Sequence, residues 1–181
     1  MERTLDKTIG LAERIALGLS ALGFFLIMIV IVVDVVLRYV FSAPLSWSYD
    51  IISMYLVALI FFFALSDTFR AGAHIGVDLF EAMRGNRFYS IAETIGFIIA
   101  IVFFALIFKE SLREGIEGFE AGDVVDGAIA WPTWPPYFIC ALGVGMLILR
   151  IMLAIFVRIT ALLRGEVYRA PSHLAHEEGV E

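Results

Sequence analysis

The sequence predicts an all-α integral membrane protein with four transmembrane helices, a short cytoplasmic interfacial amphipathic helix, and both termini in the cytoplasm. Three observations carry this reading. Of the 181 residues, 61% are hydrophobic and 18% charged, too little polar material to cover the surface of a soluble domain. Four apolar runs are each long enough to cross a hydrocarbon core of ~30 Å at ~1.5 Å per residue. The basic residues cluster on alternate connections, which sets the orientation. The expected organisation is a single four-helix membrane domain over residues 1–164 and a disordered cytoplasmic tail over 165–181.

The first span covers about Ile15 to Phe41, broken only by Ser20, Asp34 and Arg38. It is far longer than the roughly 7–15 residues of a signal-peptide core, and no A-x-A-like site follows it, so it reads as a retained anchor. The second span runs from about Leu45 to Leu65. After it, "HIGVDLFEAMRG" places Ile75, Leu79 and Met83 on one helical face with Phe80 beside them, and Asp78, Glu81 and Arg84 on the other. That pattern predicts an interfacial helix over about 74–84.

The third span runs from about Phe88 to Phe108. Leu112, Ile116 and Phe119 continue a stripe at helical spacing, with Glu110, Glu114 and Glu117 on another face. Gly115, Gly118 and Gly122 predict that this extension is weak or kinked. "AWPTWPPYF" then opens the fourth span, about Tyr137 to Val157. Trp131 and Trp134 suit an interfacial aromatic belt, and Pro135 and Pro136 suit a helix start, where a missing N–H costs little.

Arg3, Lys7 and Arg14 precede span one, Arg70, Arg84 and Arg87 separate spans two and three, and Arg158, Arg164 and Arg169 follow span four. The other side has Arg38, Lys109 and Arg113. This asymmetry places the termini and the 2–3 connection inside. The junction "DVVLRYVFSAPLSWSYDII" and the acidic 3–4 connection, with Glu114, Glu117, Glu120, Asp123 and Asp126, then face outward. The acidic connection reads as a solvated loop or as a surface that meets a basic patch.

The ionisable groups within the spans are the candidate sites, because such groups are costly in lipid. Asp34 and Arg38 are four apart and can pair on one face, as a hydrated pair or at a subunit contact. Asp67 and Glu93 fall near span ends, where solvation suffices. Arg150 lies about 12 Å of helix inside Arg158; it either snorkels or meets a carboxylate, a carbonyl or a lipid headgroup. Ala12, Ala16, Ser20 and Gly23 on span one, and Ala141 with Gly145 on span four, form small-residue rows that let helices approach closely. The lone Cys140 reads as a small core residue. No histidine lies within a span, which argues against a haem-carrying redox anchor. His173 and His176 sit in a charged tail and read as solvated. The chain has no nucleotide-binding or hydrolase motif and no nucleophile–base pair, and no basic aromatic face for nucleic acid. Neither an enzyme nor a bound cofactor is expected.

"RYVFSAPLSWSYDI" and, one span later, "FRAGAHIGVDLF" resemble the small, Q-type four-helix subunit of tripartite ATP-independent periplasmic (TRAP) transporters. The residues that carry the resemblance are Arg38, Tyr39 and Phe41, then Trp47 and Asp50, then Arg70, Gly72, His74, Ile75, Val77 and Asp78, with a looser fit at Trp134 and Tyr137. It covers about residues 10 to 160. Where the family often has two consecutive acids after the Trp, this chain has Tyr49 then Asp50. The resemblance implies a scaffold subunit in a bacterial inner membrane, one part of a sodium-coupled importer of an organic acid. Its implied partners are a large multi-span elevator subunit, which would hold substrate and sodium, a periplasmic substrate-binding protein, and membrane lipids. The candidate partner or lipid contacts are Asp34, Arg38, Trp47, Asp50, Arg70, His74, Asp78 and Arg150. The competing reading is a stand-alone, homo-oligomeric carrier or channel built around Asp34, Arg38 or Arg150. A reporter enzyme fused after Glu181 is expected to read cytoplasmic in whole cells; a periplasmic signal overturns the predicted orientation.

Overall fold

The computed structural model of the chain describes residues 2–71, 87–127 and 129–163. The expected interfacial helix, with His74 and Asp78, and the tail over 165–181 lie outside them. Helix α1 (Glu2–Phe41) is 40 residues long, about 60 Å at ~1.5 Å per residue. The second pass is built from three joined pieces: a single turn α2 (Ser48–Asp50), a π-helix (Ile51–Leu56), and α3 (Val57–Arg70). Helix α4 spans Arg87–Ala121 and α5 spans Trp134–Leu163. Between them, two-residue strands β1 (Val124–Val125) and β2 (Trp131–Pro132) pair antiparallel, Val124 with Pro132 and Val125 with Trp131. All four passes are long and apolar enough to cross a membrane: Thr8–Phe41, Ser48–Arg70, Thr94–Ala121 and Trp134–Val157.

The boundaries differ from the sequence reading in two places, each with a physical cause. The second helix begins at Ser48, not Leu45. Ser42 sits at φ 51°, a left-handed conformation that ends α1, and Pro44 follows. Helix α4 runs through Gly115 and Gly118 without a break. A Cβ at Gly115 would stand 3.4 Å from the Phe138 ring, and one at Gly118 would stand 3.1 Å from Thr133 Oγ1. These glycines seat the first turns of α5, so packing offsets a propensity cost of about 1 kcal/mol each. The helix ends only at Gly122, whose φ is 67°. There the Asp123 N–H donates back to the Gly118 carbonyl at 3.0 Å, the Schellman closure that a left-handed glycine permits.

The 3–4 connection is an ordered turn rather than an open loop. The Thr133 N–H and hydroxyl both donate to the Asp123 carbonyl, at 3.0 and 3.3 Å. Trp134 packs edge-on against Phe119 and Phe138, with centroids 5.4 and 5.8 Å away. Pro135 and Pro136 occupy the first turn of α5, as their missing N–H groups allow.

Helix α5 is central, flanked by α3 and α4, and α1 lies against α3. Among the described residues, five of the six buried apolar ones belong to α5: Cys140, Ala141, Val144, Leu147 and Ile151. The closest approach in the bundle is at Gly143, where any Cβ would collide with the Phe62 carbonyl of α3. Gly145 takes the Phe108 ring of α4, and Ser111 donates to Cys140 Sγ at 3.2 Å. Of the two residues expected in the small row on α5, Ala141 is buried and Gly145 is a contact, but Gly143 between them sets the helix separation. Replacing Gly143 with Ala is expected to destabilise the bundle by about 1–3 kcal/mol through overpacking, read by tryptophan fluorescence on heating in detergent. Gly18→Ala, whose Cβ meets open space, is expected to leave the transition in place.

Candidate functional site

Helix α1 packs along one narrow seam. Its buried and half-buried positions from Glu13 onward are Glu13, Ala16, Ser20, Gly23, Ile27, Val30, Asp34 and Leu37. This alternating three–four spacing is that of a helix with one principal neighbour. Ser20 Oγ donates to the Ile60 carbonyl at 2.9 Å, and a Cβ at Gly23 would touch the Leu59 side chain at 3.0 Å. Ala16, Ser20 and Gly23 of the expected row do face α3. Ala12 is exposed, and the seam continues through Glu13 instead.

Glu13 is fully buried. Its Oε1 accepts a 2.7 Å hydrogen bond from Ser66 Oγ and lies 3.4 Å from Arg150 Nε. Its Oε2 lies 3.5 Å from Arg70 Nε and accepts no hydrogen bond among the described residues. Arg70 also holds Asp67, at 2.6 Å through Nη2 and 3.0 Å through Nε. Two carboxylates and two guanidiniums thus sum to neutrality at one side of the bundle, where the end of α3 meets the first third of α1 and the second half of α5. Desolvating such charges is costly, and only close pairing offsets it. Arg150, whose side chain is 11% exposed, therefore meets a carboxylate on another helix, one of the alternatives open from the sequence. The structure brings Arg70 and Arg150 together through a residue that was not among the expected sites. The signal for Glu13 was available: it heads the seven-residue repeat that Ala16, Ser20 and Gly23 obey.

The opposite end of the seam carries the second buried acid. Asp34 Oδ2 takes Arg38 Nη2 at 2.6 Å, and Oδ1 accepts the Leu45 N–H at 2.8 Å. One carboxylate thus pairs with its own helix and ties down the chain that enters the second pass. The Ala43 N–H returns to the Leu37 carbonyl at 3.1 Å, and Ser48 donates to the Leu45 carbonyl through both N–H and hydroxyl. Trp47 is half-buried at the start of α2, and Asp50 lies within reach of the hairpin, where a Cβ on Gly127 would stand 3.6 Å from its Oδ2. Asp34, Arg38, Trp47 and Asp50 therefore share the hairpin end, while Arg70 and Arg150 share the other. Tyr55 also belongs to the hairpin end: its hydroxyl donates to the Pro132 carbonyl and its ring meets Trp131 edge-on at 5.8 Å.

Between these polar ends the bundle is apolar. A groove of about 380 Å³ between α3, α4 and α5 is lined by Phe69, Phe97, Phe104, Leu147 and Ile151, with the small Gly96 and Ala100. Such a surface offers no counter-charge to an organic acid. Beyond it, Arg113 on the outer part of α4 pairs with Glu110, Glu114 and Glu117.

Removing the Glu13 carboxylate takes a counter-charge from the largely buried Arg150 guanidinium and leaves a buried cavity against Ser66, while Arg70 keeps Asp67. Glu13→Leu is expected to cost on the order of 3–5 kcal/mol, and Glu13→Gln less because it keeps an acceptor for Ser66. Pairing Glu13→Leu with Arg150→Leu is expected to recover part of the loss. Thermal unfolding of the parent, Glu13→Leu, Arg150→Leu and the double variant in one detergent measures the coupling; additive effects of the two leucines would show that the pair is not coupled.

The family model described as "Tripartite ATP-independent periplasmic transporters, DctQ component" matches residues 27–161, well over half of the chain. Ser66, Arg70 and Arg150 fall inside the matched region, and Glu13 precedes it. Comparisons with curated proteins and with solved structures give no significant match. Four membrane-crossing helices and this match have one reading: the chain belongs to the DctQ family, the small components of TRAP transporters.

Proposed function

We propose that this chain is the fixed scaffold of a sodium-coupled TRAP transporter in a bacterial inner membrane. Its expected partners are a large multi-span subunit, which carries substrate and sodium, and a periplasmic protein that delivers an organic acid. The observation that carries the scaffold reading is where the charge lies. Every ion pair among the described residues sits near one end of the bundle or the other, and the seam between Ala16 and Val30 carries no ionisable group. A subunit that moved an organic anion needs polar groups near the midplane to take the place of water. A scaffold needs the reverse, namely charges that neutralise one another and passes that hold their registers.

The outer surface of α1 supports the partner reading. Away from its seam, α1 leaves Leu22, Phe24, Phe25, Val32, Val36 and Phe41 exposed, a long apolar face suited to lipid and to a larger membrane protein. The predicted orientation makes the Glu13 end cytoplasmic and the hairpin end periplasmic. On that reading Asp34, Arg38, Trp47 and Asp50 lie on the side that a binding protein visits. His74 and Asp78 remain candidate contacts on the cytoplasmic side.

Co-expression with the large TRAP membrane subunit of the same system is expected to give a stable complex. Proteoliposomes with both subunits and the binding protein are expected to take up an organic acid under a sodium gradient, and liposomes with this chain alone are not. Uptake by the chain alone would overturn the scaffold reading in favour of a stand-alone carrier.

A further inference from the structure

The π-helix over Ile51–Leu56 contains neither glycine nor proline, so the usual breakers of a helix do not explain it. π-turns are rare and occur mostly as single turns at functional positions. Its hydrogen-bond pattern reaches one residue further back than that of an α-helix, as the Val57 N–H does in donating to the Ile52 carbonyl. Such a segment holds about one residue more than the α-helix of equal turn. With α3 fixed, reversion to α geometry turns everything on its outer side by ~100°, one residue's rotation. Ile51 then takes the place of Asp50, and Asp50 takes the place of Tyr49.

That exchange is large in chemical terms. Tyr49 is 77% exposed, whereas Asp50 is half-buried beside Gly127 of the hairpin. In the alternative register the carboxylate leaves the hairpin for the exposed position. Tyr49 moves toward the place of Ser48, whose bonds to Leu45 lie within the same corner and move with it.

Leu45, which moves with Ser48, must also give up its 2.8 Å bond to Asp34 of α1 in the alternative register, and few other polar interactions hold the observed one. Ser53 Oγ donates to the Tyr49 carbonyl at 2.8 Å and approaches that of Asp50 at 3.5 Å. Among the described residues, the π-segment bonds to another element through the Tyr55 hydroxyl, which donates to the Pro132 carbonyl beside the Tyr55–Trp131 ring contact. We propose that the outer turn of the second pass is a two-register switch. In it, the Tyr55–Pro132 hydrogen bond latches the π form, and release turns Asp50 from the hairpin to the exposed face.

The switch is tested by distance measurement between spin labels in the full chain in lipid nanodiscs, with Cys140→Ala and labels at Tyr49→Cys and Glu120→Cys. The latched protein is expected to give one main distance. Tyr55→Phe removes a single hydroxyl and is expected to add a second distance displaced by on the order of 8 Å, the chord of a ~100° turn at the helix surface. Deleting Ser53 from the Tyr55→Phe protein removes the extra residue. It is expected to return the single original distance, because an α-helix one residue shorter places Asp50 where the π form does. A Tyr55→Phe distribution superimposable on the parent overturns the proposal, as does a second distance that survives the deletion. Should Tyr55→Phe fold poorly, the deletion in the parent background decides: any distance other than the original overturns the exchange of places.

Discussion

The arrangement of this bundle depends on one buried carboxylate. Glu13 lies on a helix exposed along most of its length, yet it reaches Arg70 at the end of the second pass and Arg150 within the fourth. Apolar packing alone specifies little about how one lipid-facing helix sits against another, because hydrocarbon and leucine are equally acceptable to each. A buried charge is far more exacting. It must find its counter-ions or leave the membrane, so the depth and rotation of α1 follow from where Arg70 and Arg150 are held. Ser66 completes the set from within α3.

This dependence explains why α1 can be long and sparsely packed. Outside its seam it is exposed along most of its length, and its small residues allow contact with α3 without demanding it. Ser20 and Gly23 bring the backbones close, and Ala16 fills the turn between them and Glu13. Helix α5 is held differently, by shape: Gly143 against Phe62, Gly145 against Phe108, and the first-turn aromatics against Gly115 and Gly118. One half of the bundle is thus specified by charge and the other by the absence of side chains.

Much of this was legible in the sequence and some was not. The four passes, the Asp34–Arg38 pair, the helix start at Pro135 and Pro136, and the family all follow from apolar length, i+4 spacing and a few motifs. Glu13 was missed because Ala12, Ala16, Ser20 and Gly23 form a tidy row at a spacing of mostly four. The true seam alternates three and four and passes through the acid. The straight run of α4 through its glycines was misjudged because propensity is a local quantity, while their partners Phe138 and Thr133 are distant in sequence. The hairpin and the π-turn leave almost no local signature: a two-residue strand has no periodicity, and IISMYL reads as ordinary apolar helix. Tyr55 acquires a role only once Pro132 is folded back over it.

The two acids of the α1 seam, Glu13 and Asp34, are 21 residues apart, about 31 Å along a helix. That is the thickness of a typical hydrocarbon core. Each is tied to another part of the chain, one to the end of α3 and to Arg150 within α5, the other to the entry of the second pass. The bundle therefore contains a ruler. A membrane span with a slack end answers a thicker or thinner bilayer by tilting or sliding, but α1 is fastened at both marks and cannot slide past its neighbours. Any mismatch falls on the surrounding lipid, which must stretch or compress to the protein. On the proposed scaffold reading, a larger membrane protein seated against α1 would meet a surface whose depth in the bilayer is already set.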